Sequence, residues 1–314
     1  MSNPRIQHWR VGAVTITRVV EAEGLRAPEY MFRDLTAEVV RRHDWLRPDF
    51  ATAEGQLIGS IHAFVIATGE RRIIVDTCVG NDKARRMPRW HMLQTAFLDD
   101  LASAGYPAER IDTVLCTHLH VDHVGWNTRL VGGRWVPTFP NARYLFGRTE
   151  FEHWARGPDP ALTGDVPAAV AQDVMEADTV FEDSIRPIVV AGLHDLVACD
   201  HRITDEVALE PTPGHSPGHV SVVVASRGET AVITGDLMHH PIQCALPDVA
   251  SNFDWNVEQA RRTRLEFLRR HADKPVLVLG THFATPTAGF IVTDGAGLRF
   301  RAAHAPSSTS PADR

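Results

Sequence analysis

The chain is short of the features that would tie it to an oxidising compartment, a membrane or a nucleic acid. Its four cysteines, Cys78, Cys116, Cys199 and Cys244, are scattered without CxxC spacing. That argues against a disulfide framework and fits a reducing compartment. No run approaches the roughly 20 apolar residues of a membrane span, and residues 1–10 carry no apolar leader. Lys and Arg number 32 against 39 Asp and Glu, a net charge of −7, and no basic stripe offsets it, so a phosphate-backbone partner is disfavoured. The short cluster Lys83-Ala84-Arg85-Arg86 reads as a solvated loop. The expectation is a cytoplasmic protein acting on a small molecule, with no nucleic-acid and no membrane partner.

What remains is an ordinary globular composition, 44% hydrophobic and 23% charged, on a chain long enough for one large domain or two small ones. Residues 11–20 read as an opening strand, and 21–55 as an irregular segment carrying Tyr30, Phe32, Trp45 and Phe50. A loop that long is usually functional, so it could supply a lid, a homodimer contact or both. Strands are expected at 57–67 and 72–76, a helix at 91–104, then a strand at 111–116. Beyond these come a strand at 143–146, a helix at 148–155, a proline- and glycine-rich loop at 157–168, a helix at 168–183 and a strand at 187–190. Strands near 206–211, 219–225, 230–235, 276–280 and 289–293 flank a helix at 257–271, opened by Asn256 with Gln259 three residues on. This alternation indicates an α/β protein. It reads as a single domain over residues 1–302, followed by a disordered tail at 303–314.

Histidine is what the chain has in excess, 17 in all. Three histidines and an aspartate, His118, His120, Asp122 and His123, fall within six residues at the end of the 111–116 run. Imidazole and carboxylate suit borderline divalent metals such as zinc. Three later segments each end on a similar group: the rigid turn Pro211–His219 with His215 and His219, the strand before Asp236, and the strand before His282. Taken singly, a strand-end histidine or aspartate is more often structural. Together they place His or Asp at four strand or turn ends, where functional groups gather in α/β folds. Asp76 closes another strand in the same manner. Ser216 and Cys116 sit beside these groups but lack triad partners and read as structural.

The order His-x-His-x-Asp-His, then His, Asp and His, resembles the metallo-β-lactamase superfamily of metallohydrolases, over the stretch from Asp76 to His282. The resemblance implies a four-layer αβ/βα sandwich with its site at one edge. It implies two divalent metals, zinc first, with manganese, iron or cobalt as other occupants. His118, His120 and His215 would bind one ion and Asp122, His123 and His282 the other, with Asp236 bridging. Asp76 would support the site from behind, and His219 would either support it or contact substrate. Asp236, or Asp122, would move a proton to the leaving group. Trp126, Met238 and Phe283 adjoin the motifs and could line an apolar pocket.

Within that family the aspartate at 236 and the Asp–His pair at 122–123 depart from the cysteine-containing β-lactamases. Only 45 residues separate Asp236 from His282, too few for the inserted domain of the RNA-processing members. The motif order is similar to the branch of quorum-quenching lactonases and methyl parathion hydrolase. The expected activity is hydrolysis of a lactone or carboxylic ester of a fairly hydrophobic substrate by a water shared between two metals, with phosphotriester hydrolysis as the alternative. An iron-dependent oxidoreductase or a non-catalytic metal scaffold ranks below, because all seven ligand positions are filled. Lactonases commonly use a pocket tyrosine, and none of Tyr30, Tyr106 and Tyr144 is placed there by a motif.

Overall fold

The computed structural model describes residues 5–156 and 177–303. The 157–168 loop, most of the 168–183 helix and all but Ala303 of the expected tail lie outside them. Fifteen strands occur among the described residues. The first half supplies β1 (Ile6–Val11), β2 (Val14–Arg26), β3 (Leu57–Ala67), β4 (Arg72–Val75), β5 (Thr113–Cys116), β6 (Thr128–Val131), β7 (Arg134–Pro137), β8 (Arg143–Gly147) and β9 (His194–Val197). The second supplies β10 (Val207–Pro211), β11 (Val220–Ser226), β12 (Glu229–Ile233), β13 (Val276–Leu279), β14 (Ala288–Asp294) and β15 (Gly297–Ala302). They form a seven-stranded sheet ordered β1-β2-β3-β4-β5-β8-β9, a six-stranded sheet running β10 to β15 in order, and the hairpin β6-β7.

Strand alternation sorts the apolar side chains into three layers of core. Ile73, Val75 and Leu115 face inward, where they meet Leu209, Val222, Ile233 and Leu279 of the second sheet. Ile74, Val114 and Cys116 face outward, onto Phe97, Leu101, Trp154 and Ile188. The outer face of the second sheet, with Val232, Val278 and Ile291, packs on Phe267 and Leu268 of the helix Val257–His271 and on Phe32, Leu46 and Phe50. Helices outside two facing sheets make the four-layer sandwich. Asn256 opens the long helix by accepting a hydrogen bond from Gln259 N at 3.0 Å.

Several expectations are corrected. Residues 11–20 are not one strand: Gly12, at φ +56°, turns the chain between β1 and β2. The 91–104 helix is confined to Phe97–Ser103, because Asn81 takes the Thr95 backbone N–H at 2.8 Å and holds the preceding residues in a loop. Residues 187–190 belong to the helix Arg186–Val190, where Ile188 is buried and Val190 is 81% exposed, a helical rather than an alternating pattern. The 21–55 segment is largely ordered: β2 runs to Arg26, and short helices cover Pro28–Met31 and Ala37–Arg41. Lys83 and Arg85 are not solvated. Both are buried against Asp183, Arg85 Nη1 donating to its Oδ2 at 2.6 Å.

Two parallel contacts define the functional edge. β4 runs parallel to β5 with Val75 beside Leu115, so Asp76 and the 117–123 loop leave the first sheet together. β12 runs parallel to β13 with Ile233 beside Leu279, so Asp236 and His282 leave the second sheet together. A bridge between Gly59 and Phe283 and a hydrogen bond from Ser60 N to His282 O at 3.1 Å close the sandwich there.

Candidate metal centre

The 117–123 loop is held from both sides. Asp76, in the left-handed region at φ +57°, accepts hydrogen bonds from Thr117 N at 2.8 Å and Thr117 Oγ1 at 3.0 Å. Its Oδ2 also meets His123 Nδ1 at 3.0 Å, which turns His123 Nε2 toward the second sheet. A bulge between Val20 and Ala22 buries Glu21, which accepts from Val79 N at 2.8 Å, Gly80 N at 3.2 Å and Trp126 Nε1 at 2.7 Å. Burial lifts Glu21 to about 7, partly offset by these donors. Gly125 is required beside it, since a Cβ there would lie 1.8 Å from Val79 O.

On the other sheet, Gly235 takes φ +55° and carries the chain from β12 to Asp236. His219 Nε2 accepts the Asp236 backbone N–H at 2.8 Å, while its Nδ1 faces Thr212 O at 3.0 Å. His219 therefore positions Asp236 through the backbone and is absent from the ligand groups that converge. Burial first of all lowers His219 to about 4, consistent with a neutral ring that accepts.

Asp236 is the meeting point. Its Oδ2 lies 3.7 Å from His118 Nε2, 3.4 Å from His123 Nε2 and 3.3 Å from His215 Nε2. Its Oδ1 lies 3.1 Å from His282 Nε2. His118, His120 and His215 present ligand atoms within 4.8 Å of one another, and so do Asp122, His123 and His282. The fold thus brings together all seven residues expected as ligands. His118 Nε2, His123 Nε2 and Asp236 Oδ1 are buried without a hydrogen-bond partner. Buried polar atoms are rarely left so, and a donor set of imidazoles and carboxylates with orphaned atoms aimed at one point fits divalent cations.

Charge divides the two groups. Burial, reinforced by neighbouring imidazoles, holds His118 and His120 well below the ordinary histidine value, and burial does the same to His215 against the pull of Asp236. Burial also acts to lower His123 and His282, but the carboxylates of Asp236 and Asp122, with Asp76 beside His123, outweigh it and raise both.

Four contributors had no motif to reveal them. Asp254 meets His215 Nδ1 at 3.2 Å. Glu150 accepts from Leu119 N at 3.2 Å, Trp154 Nε1 at 2.6 Å, Ser216 Oγ at 2.7 Å and Gly218 N at 2.9 Å, tying the 117–123 loop to the 211–219 turn. His239 Nε2 lies 3.3 Å from Asp236 Oδ2, neither ring nitrogen makes a hydrogen bond among the described residues, and with His215 and Asp236 it forms a further group able to hold a cation. Its spacing of three from Asp236 was the one available signal. Tyr30, from the 21–55 segment, lines the cavity in front of the cluster.

That cavity is about 110 Å³ and is floored by His120, Asp122, His215, Asp236, His239 and His282. Its walls are Tyr30, Met31, Ile61, Trp90, Leu119, Val121, Trp154, Val180 and Phe253, joined by Arg26 and Arg89. Trp126, Met238 and Phe283, expected as lining, are core instead. Trp126 stacks on Phe97 at 6.0 Å, and Met238 and Phe283 are fully buried behind the second sheet. Phe283 folds back over Gly280 in the tight turn after β13, away from the cavity.

A two-sheet sandwich with a histidine–aspartate cluster at the edge where parallel strands end defines a metallohydrolase architecture. The chain belongs to the metallo-beta-lactamase superfamily, whose family model matches residues 58–282. Among solved structures it is similar to AbOPH, a hydrolase in the beta lactamase superfamily, with a TM-score of 0.80 and 24% identity over 98% of this chain and 100% of that one. It is also similar to AidC, a dizinc quorum-quenching lactonase, with a TM-score of 0.76 and 19% identity over 96% of this chain and 98% of that one. A ribonuclease Z of Mycobacterium sp. (strain KMS) is 28% identical over 60% of this chain and 71% of its own length. No helix among the described residues is long and apolar enough to cross a membrane.

Proposed function

We propose that the protein is a dinuclear metal-dependent hydrolase acting on a lactone or carboxylic ester of a fairly hydrophobic substrate. The observation that carries this reading is the shared position of Asp236, whose Oδ2 faces His118 and His215 of one group and His123 of the other. His118, His120 and His215 would hold one ion, Asp122, His123 and His282 the second, and Asp236 would touch both. Zinc suits this donor set, and a pair of such ions supplies Lewis acidity at a substrate oxygen and a water of lowered pKa.

The chain's own residues do the rest. The apolar walls exclude bulk water and hold the hydrophobic part of the substrate. Asp76 and Asp254 fix the rings of His123 and His215, and the Ser60 carbonyl, 2.9 Å from His282 Nδ1, fixes the third. Asp236 Oδ1, buried and without a hydrogen-bond partner, can take a proton and pass it to the leaving oxygen, and Asp122 is the alternative carrier. His239, on the cavity floor beside Asp236, would face a substrate oxygen. The same floor would accept a phosphotriester, so substrate class is decided by rate. Zinc-loaded protein should hydrolyse lactones and aryl esters with higher kcat/KM than phosphotriesters, and His120→Ala and Asp236→Asn should each lower turnover at least about 10³-fold. Retained hydrolysis in either purified, folded variant would overturn the two-metal reading, and about one iron per chain with no hydrolysis would replace it.

A further inference from the structure

The cavity carries two guanidinium groups that the hydrolytic chemistry does not use. Arg26 and Arg89 both line it, and no carboxylate lies within 4.0 Å of either among the described residues. Among the described residues, the acids on its walls are Asp122 and Asp236, which belong to the metal cluster. Arg26 is given room by two glycines paired directly across β2 and β3, Gly24 and Gly59. A Cβ at Gly24 would stand 3.0 Å from Arg26 Nη1, and one at Gly59 would stand 3.8 Å from its Cγ. The Arg26 side chain thus runs over a strip of sheet without side chains, and one backbone acceptor, Leu25 O at 2.9 Å from Nη1, is its hydrogen-bond partner there. Arg89 is steadied by rings: its guanidinium carbon is 5.0 Å from the Tyr30 centroid and 5.5 Å from that of Trp90. Burial first, and the Arg89 charge second, lower Arg26 against the opposing pull of Tyr30 and Asp122, so the two cations repel one another across the mouth. Each guanidinium presents N–H donors in a fork geometry that matches a carboxylate.

We propose that Arg26 and Arg89 form an anion-binding site at the cavity mouth and that the substrate is an ester or lactone bearing a carboxylate remote from the scissile bond. This rests on the hydrolase reading for the reacting end of the substrate, but the anion site stands on the arginines alone. The apolar walls between the two ends then fit the body of the molecule, with the metal cluster at its scissile bond and the guanidiniums at its acid.

The test separates binding from hydrolysis. Two unreactive amides, 4-acetamidobenzoate and its neutral 4-methyl counterpart, are titrated calorimetrically into zinc-loaded protein at low salt. The carboxylate is expected to bind at least tenfold tighter, with the advantage shrinking several-fold between about 0.05 and 0.5 M salt as screening grows. In Arg26→Gln/Arg89→Gln protein the advantage should fall to twofold or less. Equal binding of the two amides by the unaltered protein would overturn the proposal. So would a preference that survives in the double variant, which would place the carboxylate at the metals instead. The corresponding pair of phenyl esters reads the chemistry separately: if neither is hydrolysed the hydrolase reading fails, while the amide result still decides the anion site.

Discussion

The two ligand groups of the metal centre are built differently. His118, His120 and His215 form an all-imidazole set whose rings are held well below the ordinary histidine value by burial. Asp122, His123 and His282 mix carboxylate with imidazole, and there the acids raise both rings despite burial. The first set is therefore deprotonated and ready for a cation at neutral pH. The second keeps its ring protons to higher pH than a free histidine does, because the carboxylates beside it favour the charged rings. Their supports differ as well. Glu150 braces the backbone that carries the first set, and Asp76 braces a ring of the second and, through Thr117, the start of the loop that carries both. A buried acid recurs behind each group, so the donor geometry is fixed from outside the donor set.

The largest expected effect comes from removing the brace of the first set. Glu150→Ala leaves four buried donors unpaired, each worth about 1–3 kcal/mol. Metal-free protein should lose at least about 3 kcal/mol of unfolding stability in a denaturant titration, with weaker metal uptake at the first set. A loss under about 1 kcal/mol would show that Glu150 does not join the two loops. Asp76→Asn should act on the other side. Metal affinity of the second set should drop about 10–100-fold, as when such outer partners are lost elsewhere, while the first equivalent of zinc, which Asp76 reaches only through Thr117, weakens less. Equal weakening of both equivalents would erase the distinction between the groups.

The smallest effect is in protons. Raised rings at His123 and His282 are charged over more of the pH range than a free histidine, so a cation entering the second set must displace protons. Affinity there should fall as pH falls, by about tenfold per unit for each proton released, about 1.4 kcal/mol. The lowered rings of the first set are already neutral between about pH 6 and 8, so its affinity should stay flat in that window. Calorimetry in buffers of different ionisation enthalpy measures both. Proton release on the first equivalent rather than the second would reverse the assignment.

Much of this site was legible in the chain because ligand chemistry is local. His118, His120, Asp122 and His123 sit in one loop, and Asp236 and His282 each close a run of apolar residues that could only be a buried strand. Element types followed for the same reason wherever the apolar period was clean, as in β3 and the helix Val257–His271. The misreadings fell where the period was ambiguous. Pro187–Val190 is β-branched yet helical, and Lys83 and Arg85 look like a solvent loop until Asp183, about a hundred positions away, pairs with them. Trp126, Met238 and Phe283 lie beside ligands in sequence, but the turns that follow the strands send them into the core.

The sequence by itself determined the donor set and its order along the chain, since an imidazole or carboxylate at a strand end is a property of a few neighbouring residues. Only the tertiary structure decided what stands around it. Asp254 behind His215, Glu150 between two loops, and Gly59 beneath Arg26 all come from segments far apart in the chain. Their chemistry depends on burial and on which neighbours arrive, and those are set by how the two sheets pack rather than by any local pattern.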